Sequence, residues 1–330
     1  MNIAYGAPIE RAWKRMTQAL FRPFDMRKWL VMGFTAFLAG LMDWQGGRSG
    51  RSSRSFDGRD WRDILGMPAE AWDWLAGHPL WAALIFAGVI AAIVLSVVLT
   101  WLSSRGKFMF LDNVFRDRAA IQAPWREYRS AGDSLFIARL LLGAAAFAVF
   151  AIYLLACLLV LIGMAGSNAS GDGILPTVLL MAAGLLLLIL AAAFVDICLN
   201  DFVVPVMAKR RLTILPAAGQ FWNLFRQNPG AFLLYGLLVF LLKVAVVALI
   251  VAVGLMTCCF GFLLLAIPYV NSVVLLPVSY VFRAFSLEFL GQFGPGFDLF
   301  GSKGKAVRKT APKRTAVLKK PSRGKASRRK

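Results

Sequence analysis

Five stretches of this 330-residue chain are long, apolar and nearly free of charge, and they restrict the solvent in which it can fold. A bilayer core about 30 Å thick takes about 20 apolar residues to cross as a helix. Five stretches reach that length: Pro79 to Leu102, Leu140 to Ala165, Ile174 to Val195, Ala231 to Met256 and Cys258 to Phe282. Only 16% of the residues are charged, against about 25% in soluble domains. The pattern predicts an all-α, polytopic helical membrane bundle.

A sixth, weaker apolar stretch, Trp29 to Met42, leaves the number of spans open. It has about two-thirds of the usual length, so it either crosses where the bilayer thins or dips in and returns. Charge favours a crossing. With six spans, the segments rich in Lys and Arg share one side, and the positive-inside rule puts that side and both termini in the cytoplasm. We therefore expect a six-span protein of the inner membrane.

Three segments before spans have apolar residues at three- and four-residue steps with polar residues between them, which is typical of amphipathic helices at the membrane interface. Their apolar positions are Ile9, Ala12, Trp13, Met16 and Leu20; Ile121, Trp125 and Tyr128; and Ile214, Ala218, Phe221, Trp222 and Phe225. The spacing predicts three repeats of an interfacial helix plus a helical hairpin. These repeats would form one membrane domain over residues 1–293.

Several short motifs carry a family resemblance. They are Arg11-Ala12-Trp13, Leu20-Phe21-Arg22-Pro23-Phe24, Lys28-Trp29-Leu30, Leu111-Asp112-Asn113-Val114, Asp201-Phe202-Val203-Val204-Pro205-Val206 and Ser286-Leu287-Glu288-Phe289-Leu290. With them the chain resembles an uncharacterised bacterial family of multi-pass inner-membrane proteins. That family is similar to the membrane domain attached to some glycerophosphodiester phosphodiesterases. The resemblance implies a helical bundle and leaves activity open, because phosphodiesterase chemistry needs His and carboxylates around a metal, and this chain has one His.

Two polar residues fall deep within predicted spans, where charge is costly. Lys243 lies about twelve residues into the fifth span, and Asn271 is at a similar depth in the sixth. Pro268 and Pro277 flank Asn271 and each removes a backbone donor, which predicts a kinked or broken helix. Broken helices with polar groups at mid-membrane form substrate sites in many transporters. Polar packing between helices is the alternative reading.

Acidic and amide side chains cluster where spans end at the cytoplasmic surface. They are Asp112 and Asn113 after the second span and Asp196, Asn200 and Asp201 after the fourth. Such groups either form ion pairs with nearby arginines and lysines (Arg116, Lys209, Arg210 and Arg211) or build a ring that binds a cation or a lipid headgroup. Arg139 and Arg283 lie near the same boundary and are expected to contact anionic lipid.

The C-terminal segment, residues 294–330, has a different composition. From Gly301 to Lys330 there are thirteen Lys or Arg and no acid, which accounts for thirteen of the net charge of +20. Without apolar periodicity this segment cannot bury enough surface to offset chain entropy, so we expect a disordered cytoplasmic tail. Anionic phospholipid headgroups are its first expected partner. Non-specific nucleic acid contact by residues 301–330 is the alternative.

Three classes of function remain open from these patterns. The first is a non-enzymatic envelope protein that organises lipid or partner proteins, and it requires least of the sequence. The second is a transporter or channel with a polar site at Lys243 and Asn271. The third, a membrane enzyme, is disfavoured because no GxSxG, HExxH or phosphate-binding glycine loop occurs. We therefore expect no catalytic residues, no metal and no cofactor.

Overall fold

In the computed structural model the chain is described over residues 3–42, 73–166, 173–257, 261 and 265–301, apart from the side chains of 165, 166 and 174. The described residues form helices and no strand. The helices are α1 (Gly6–Phe21), α2 (Met26–Gly40), α3 (Pro79–Arg116), α4 (Gln122–Glu127), α5 (Arg129–Gly166), α6 (Ile174–Cys198), α7 (Val204–Arg210), α8 (Ile214–Gln227), α9 (Pro229–Met256), α10 (Pro268–Val274) and α11 (Leu276–Gly291). A π-helical turn, Leu199–Val203, joins α6 to α7.

Among the described residues, four helical segments are long and apolar enough to cross a membrane: α3, α5, the continuous path from α6 to α7, and α9. The predicted all-helical fold with several membrane-length helices is confirmed. Helices α3 and α5 have 38 residues each, or about 57 Å at 1.5 Å per residue, so each extends well beyond a 30 Å hydrocarbon layer.

Two shorter elements cover the remaining predicted spans. Helix α2 holds most of Trp29 to Met42 but has only 15 residues, about 22 Å. The sixth predicted span is described only in part, and its second half is broken: α10 begins at Pro268, α11 begins at Leu276, and the two axes differ by 63°. The break predicted from Pro268 and Pro277 is therefore confirmed. The six-span, three-repeat arrangement stays a prediction.

Helices α2 and α10 pack against each other. The Tyr269 hydroxyl donates to the Leu30 carbonyl over 3.1 Å, and a Cβ at Gly33 would lie 2.7 Å from Cγ2 of Val273. Because a side chain at position 33 would collide with α10, the glycine permits this close approach. Helices α2 and α10 therefore form a packed pair, and α2 also packs against α3.

The long helices have two parts with different surroundings. In α3, α5 and α6 none of the most apolar eighteen residues is buried by the rest of the chain. At the other end of α3, by contrast, residues 103–114 are all buried. Most of residues 199–208, in the π turn and α7, are buried as well. The molecule thus has an open apolar layer of separate helices and a packed core made by their extensions.

Aromatic rings fill much of that core. Phe202, in the π turn, stacks on Phe221 of α8 at 5.3 Å between ring centroids and meets Phe232 of α9 edge-on at 4.9 Å. Tyr235 lies 4.6 Å from Phe289 of α11. These contacts join four elements from separate parts of the chain, so the core is a single unit.

The apolar faces of the predicted amphipathic helices contribute to this core. Ala12, Met16 and Leu20 of α1 and Phe221 of α8 are buried. The tryptophans of the same helices point outward, with Trp13 61% and Trp222 51% exposed. These helices therefore pack on the protein with one face and present tryptophan on another.

Helix α1 is attached to α11, which brings the two ends of the described chain together. Glu288 accepts from Nε of Arg11 at 2.9 Å and from Nε of Arg15 at 2.6 Å. Beyond these ion pairs, the Ala4 backbone N–H donates to Gln292 Oε1 at 3.0 Å, and Gln292 Nε2 donates to the Ala4 carbonyl at 2.9 Å. Residues 4 and 292 consequently lie on the same side of the molecule.

The disordered tail was predicted to begin at residue 294, but Leu299 and Phe300 are buried in the core because apolar side chains there pack on α1 and its neighbours. Residues 302–330 of the predicted tail lie outside the described residues.

Candidate functional site

A cavity of about 520 Å³ lies where the apolar layer meets the packed core. Six elements line it: α2, α3, α6, the π turn, α9 and α11. Half of its lining is polar or charged, namely Lys107, Asp196, Asn200, Asp201, Lys243, Ser279 and Arg283. The other half is apolar or small, namely Ala36, Ala39, Gly40, Phe110, Ile197, Val239 and Phe282. The lining is therefore amphipathic.

Asn200 connects two of the cations in the wall. Its side-chain Oδ1 accepts from Lys107 Nζ at 2.7 Å, and its backbone carbonyl accepts from Nη1 of Arg283 at 2.8 Å. Lys107 is only 3% exposed, so its charge is held inside the wall rather than at the surface. The π turn positions Asn200, and π turns inside helices are frequent at functional sites because they redirect side chains.

Two carboxylates are also part of the lining. Asp201 accepts from the hydroxyl of Tyr235 at 3.1 Å, and Tyr235 is fully buried in the aromatic core. Asp196 is half exposed and lies 3.7 Å from Nη2 of Arg139. Asp201 is thus held by the core, while Asp196 faces the opening.

Lys243 lies at the mouth of the cavity, because it is an exposed residue that also lines the cavity. Its charge interacts with that of Asp201, but no described carboxylate is within 4 Å of its ammonium group. The lining therefore has three cations and two carboxylates, and the cation at the mouth has no close partner among the described residues.

The structure brings together residues that the sequence placed in two separate candidate sites. Lys243 lines the same cavity as Asp196, Asn200 and Asp201. Asn271 is not in that lining. It lies on α10, where its Oδ1 is buried and has no hydrogen-bond partner among the described residues. Pro268 and Pro277 lie in the first turns of α10 and α11.

Asp112 and Asn113 lie elsewhere, in contacts that hold the turn after α3. Asp112 is fully buried, accepts from Nη2 of Arg118 at 2.6 Å and from Nε of Arg116 at 3.1 Å, and receives the Tyr128 hydroxyl at 3.3 Å. Asn113 accepts from the Ala120 backbone N–H at 3.0 Å. These are the structural ion pairs that were the alternative to a headgroup or cation ring.

Glu127 extends this network to the matching turn after α7. It accepts from Nη2 of Arg116 and from Nη2 of Arg211, each at 2.8 Å. The hydrogen bond from Arg116 is the main cause that lowers the pKa of Glu127, while partial burial opposes it. Burial, followed by the charge of Asp112, raises the pKa of Tyr128. Both effects are those of a packed ion-pair network.

Two polar residues that build this site were not identified from the sequence: Lys107, which lines the cavity, and Tyr235, which holds Asp201 from the core. Lys107 belongs to a segment that was read as cytoplasmic, and Tyr235 was read as part of a lipid-facing span. The apolar run directly after Lys107, from Phe108 to Leu111, was an available signal that the helix continues into a buried core. No comparable local signal marks Tyr235, because its hydrogen bond to Asp201 joins residues far apart in the sequence.

Across the described ranges no three His, Cys, Asp or Glu side chains are arranged to hold a metal ion. No curated protein and no solved structure matches the chain. Residues 7–276 match a family described as a family of unknown function (DUF7544), which is most of the chain's length. The chain belongs to that family.

Proposed function

We propose that this protein is a non-enzymatic integral membrane protein that binds the phosphate-bearing headgroup of a lipid in the cavity and so organises lipid. The carrying observation is the net positive lining of a cavity that opens at the edge of the apolar layer. Cations between helices at the cytoplasmic side of a membrane are the usual recognition groups for anionic headgroups.

The level of the cavity along the helices supports this proposal. The apolar stretch of α6 ends at Asp196, and the buried part of α3 begins at Ser103, one helical turn before Lys107. Lys243 is therefore opposite residues that follow the apolar stretch of α6, at the depth where hydrocarbon gives way to headgroups. A cation at that depth meets lipid phosphate directly.

Topology is part of the same proposal. Because residues 4 and 292 are hydrogen-bonded, the chain between them crosses the bilayer an even number of times. The proposed topology has six crossings, because the core that holds α1 and α11 also contains the end of α3 and the beginning of α9. Four crossings would leave α1 and α11 on the opposite side of the bilayer from that core. Both termini are then on one side, and the positive-inside rule assigns that side to the cytoplasm of an inner membrane.

Because the family has no known function, two further statements about this protein are proposals. One is the similarity to the membrane domain attached to some glycerophosphodiester phosphodiesterases. The other is that the basic segment 301–330 binds anionic lipid headgroups, with nucleic acid as the alternative partner. Cross-linking in cells that recovers DNA or RNA only from the chain with this segment present would favour nucleic acid.

Replacing Lys243 with glutamine tests the headgroup site. A charge-assisted hydrogen bond contributes about 1.5–3 kcal/mol, so the variant should retain at least about tenfold less phospholipid. Native mass spectrometry of the detergent-purified protein measures the retained lipid. Lys14→Gln is the matched control, because the Lys14 side chain is 67% exposed on α1 and its ion-pair partner among the described residues is the equally exposed Glu10. Equal lipid content in wild type and Lys243→Gln would overturn the proposal.

A transporter is the second candidate, and one observation favours it. The helix break at α10–α11 lies beside the buried oxygen of Asn271, which has no hydrogen-bond partner among the described residues. For a lipid-organising protein, Asn271→Leu should leave phospholipid retention as in wild type, because Asn271 does not line the cavity. For a transporter, neither Asn271→Leu nor Lys243→Ala should restore growth to cells that need the wild-type gene, although both variants still insert into the membrane. Loss of phenotype in both variants with unchanged lipid content would favour transport.

A further inference from the structure

The apolar half of the cavity has space that a phosphate headgroup would not fill. On the side formed by α2 the wall has only small residues: Ala36, Ala39 and Gly40. A Cβ built at Gly40 would have no atom within 4 Å, so the space beside it is open. The other apolar lining residues, among them Phe110, Ile197 and Phe282, are larger. The small residues therefore leave an apolar recess next to the cations.

The recess continues into the layer of separate helices. Asp196 and Lys243, at the mouth, are the last polar lining residues before the apolar lengths of α6 and α9. The rest of the chain leaves those lengths largely uncovered. In the most apolar eighteen residues, α6 has no buried residue and α9 has 11% of its residues buried. An apolar group that starts in the recess can therefore extend along these helices without meeting charge.

A soluble phosphate ester would leave this recess filled with water. Apolar surface in contact with water costs free energy in proportion to its area, and an alkyl chain removes that cost. The cavity volume of about 520 Å³ is that of a site for a drug-sized ligand and exceeds what one phosphate group requires.

Resting on the proposed headgroup site, we infer that the ligand is a complete phospholipid, with its phosphate on the cations at the mouth and an acyl chain in the recess beside α2. The lipid enters sideways from the inner leaflet, because the cavity opens at the level of the apolar layer. The protein then selects membrane-resident amphiphiles over soluble phosphate esters.

Gly40→Leu tests the recess with little risk to the fold. Gly40 is the last residue of α2, has no positive φ, and has room for a side chain. The leucine should occupy the recess and lower retention of a diacyl phospholipid about tenfold, which is the loss expected when about two methylene groups lose their burial. Gly88→Leu, at another open position, in α3, is the matched control and should retain lipid as in wild type.

Two probes separate the inference from the proposal beneath it: a diacyl phosphatidylglycerol in nanodiscs, and glycerol 3-phosphate in solution. The inference requires that the wild type binds the phospholipid much more tightly than glycerol 3-phosphate and that Gly40→Leu weakens only the phospholipid. Equal binding of the two probes, unaffected by Gly40→Leu, would overturn the inference and leave the headgroup site intact. Loss of both probes in Gly40→Leu would also overturn it. If the wild type binds neither probe, the proposed function fails as well.

Discussion

Asp112→Asn is expected to lower the free energy of unfolding by about 3 kcal/mol. The substitution keeps the shape of a fully buried side chain but removes the charge that accepts from Arg116 and Arg118. Each hydrogen bond to a charged group contributes about 1.5–3 kcal/mol. The expected loss is less than twice that value, because both arginines are about one-third exposed and keep Glu127 as a partner. Thermal unfolding in detergent, followed by tryptophan fluorescence, measures the change.

Asp117→Asn is the matched control, five residues further along the same turn. Asp117 pairs with Lys28 at 2.9 Å, but its side chain is 46% exposed, and exposed ion pairs contribute about 0–1 kcal/mol. Its backbone is left-handed, with φ of 52°, a conformation that asparagine also tolerates. The control should unfold close to the wild-type temperature. If both variants unfold alike, Asp112 does not have the structural role that its contacts indicate.

Gly106→Ala is expected to destabilise the protein by about 1–3 kcal/mol, the usual cost of an added methyl group in a filled core. The new Cβ would lie 2.6 Å from the Leu38 carbonyl carbon and 2.7 Å from the Ala39 backbone nitrogen. Both atoms belong to the backbone of α2, which cannot move aside as a flexible side chain would. The same displacement would shift Ala39, so lipid retention should fall together with the unfolding temperature.

Gly88→Ala makes the same change in the same helix without a clash, since no atom lies within 4 Å of its Cβ position. Alanine favours a helix over glycine by about 1 kcal/mol, so this variant should be as stable as wild type or slightly more stable. The difference in unfolding temperature between the two variants isolates the contact of α3 with α2. A stability gain in both would mean that α2 does not pack against Gly106.

Local features of this protein were predictable from its sequence, whereas contacts between distant helices were not. The apolar stretches predicted four helices correctly because hydropathy is a local property, and Pro277 predicted the break between α10 and α11 because proline acts on its own turn. The joining of Lys243 with Asn200 rather than with Asn271 was missed. That choice depends on the π turn at Leu199–Val203 and on how far α6 and α9 continue into the core. Neither can be counted from spacing within one helix.

Hydropathy along the chain was enough to predict a mostly helical protein with several membrane-length helices, and counting charges was enough to find the basic tail. Helix packing, by contrast, brings Lys107, Asn200, Lys243 and Arg283, from four separate elements, into one cavity and places Asp112 in a structural ion pair. This arrangement cannot be read from one helix, because a helix presents side chains in all directions and which of them meet depends on how whole helices rotate and contact one another.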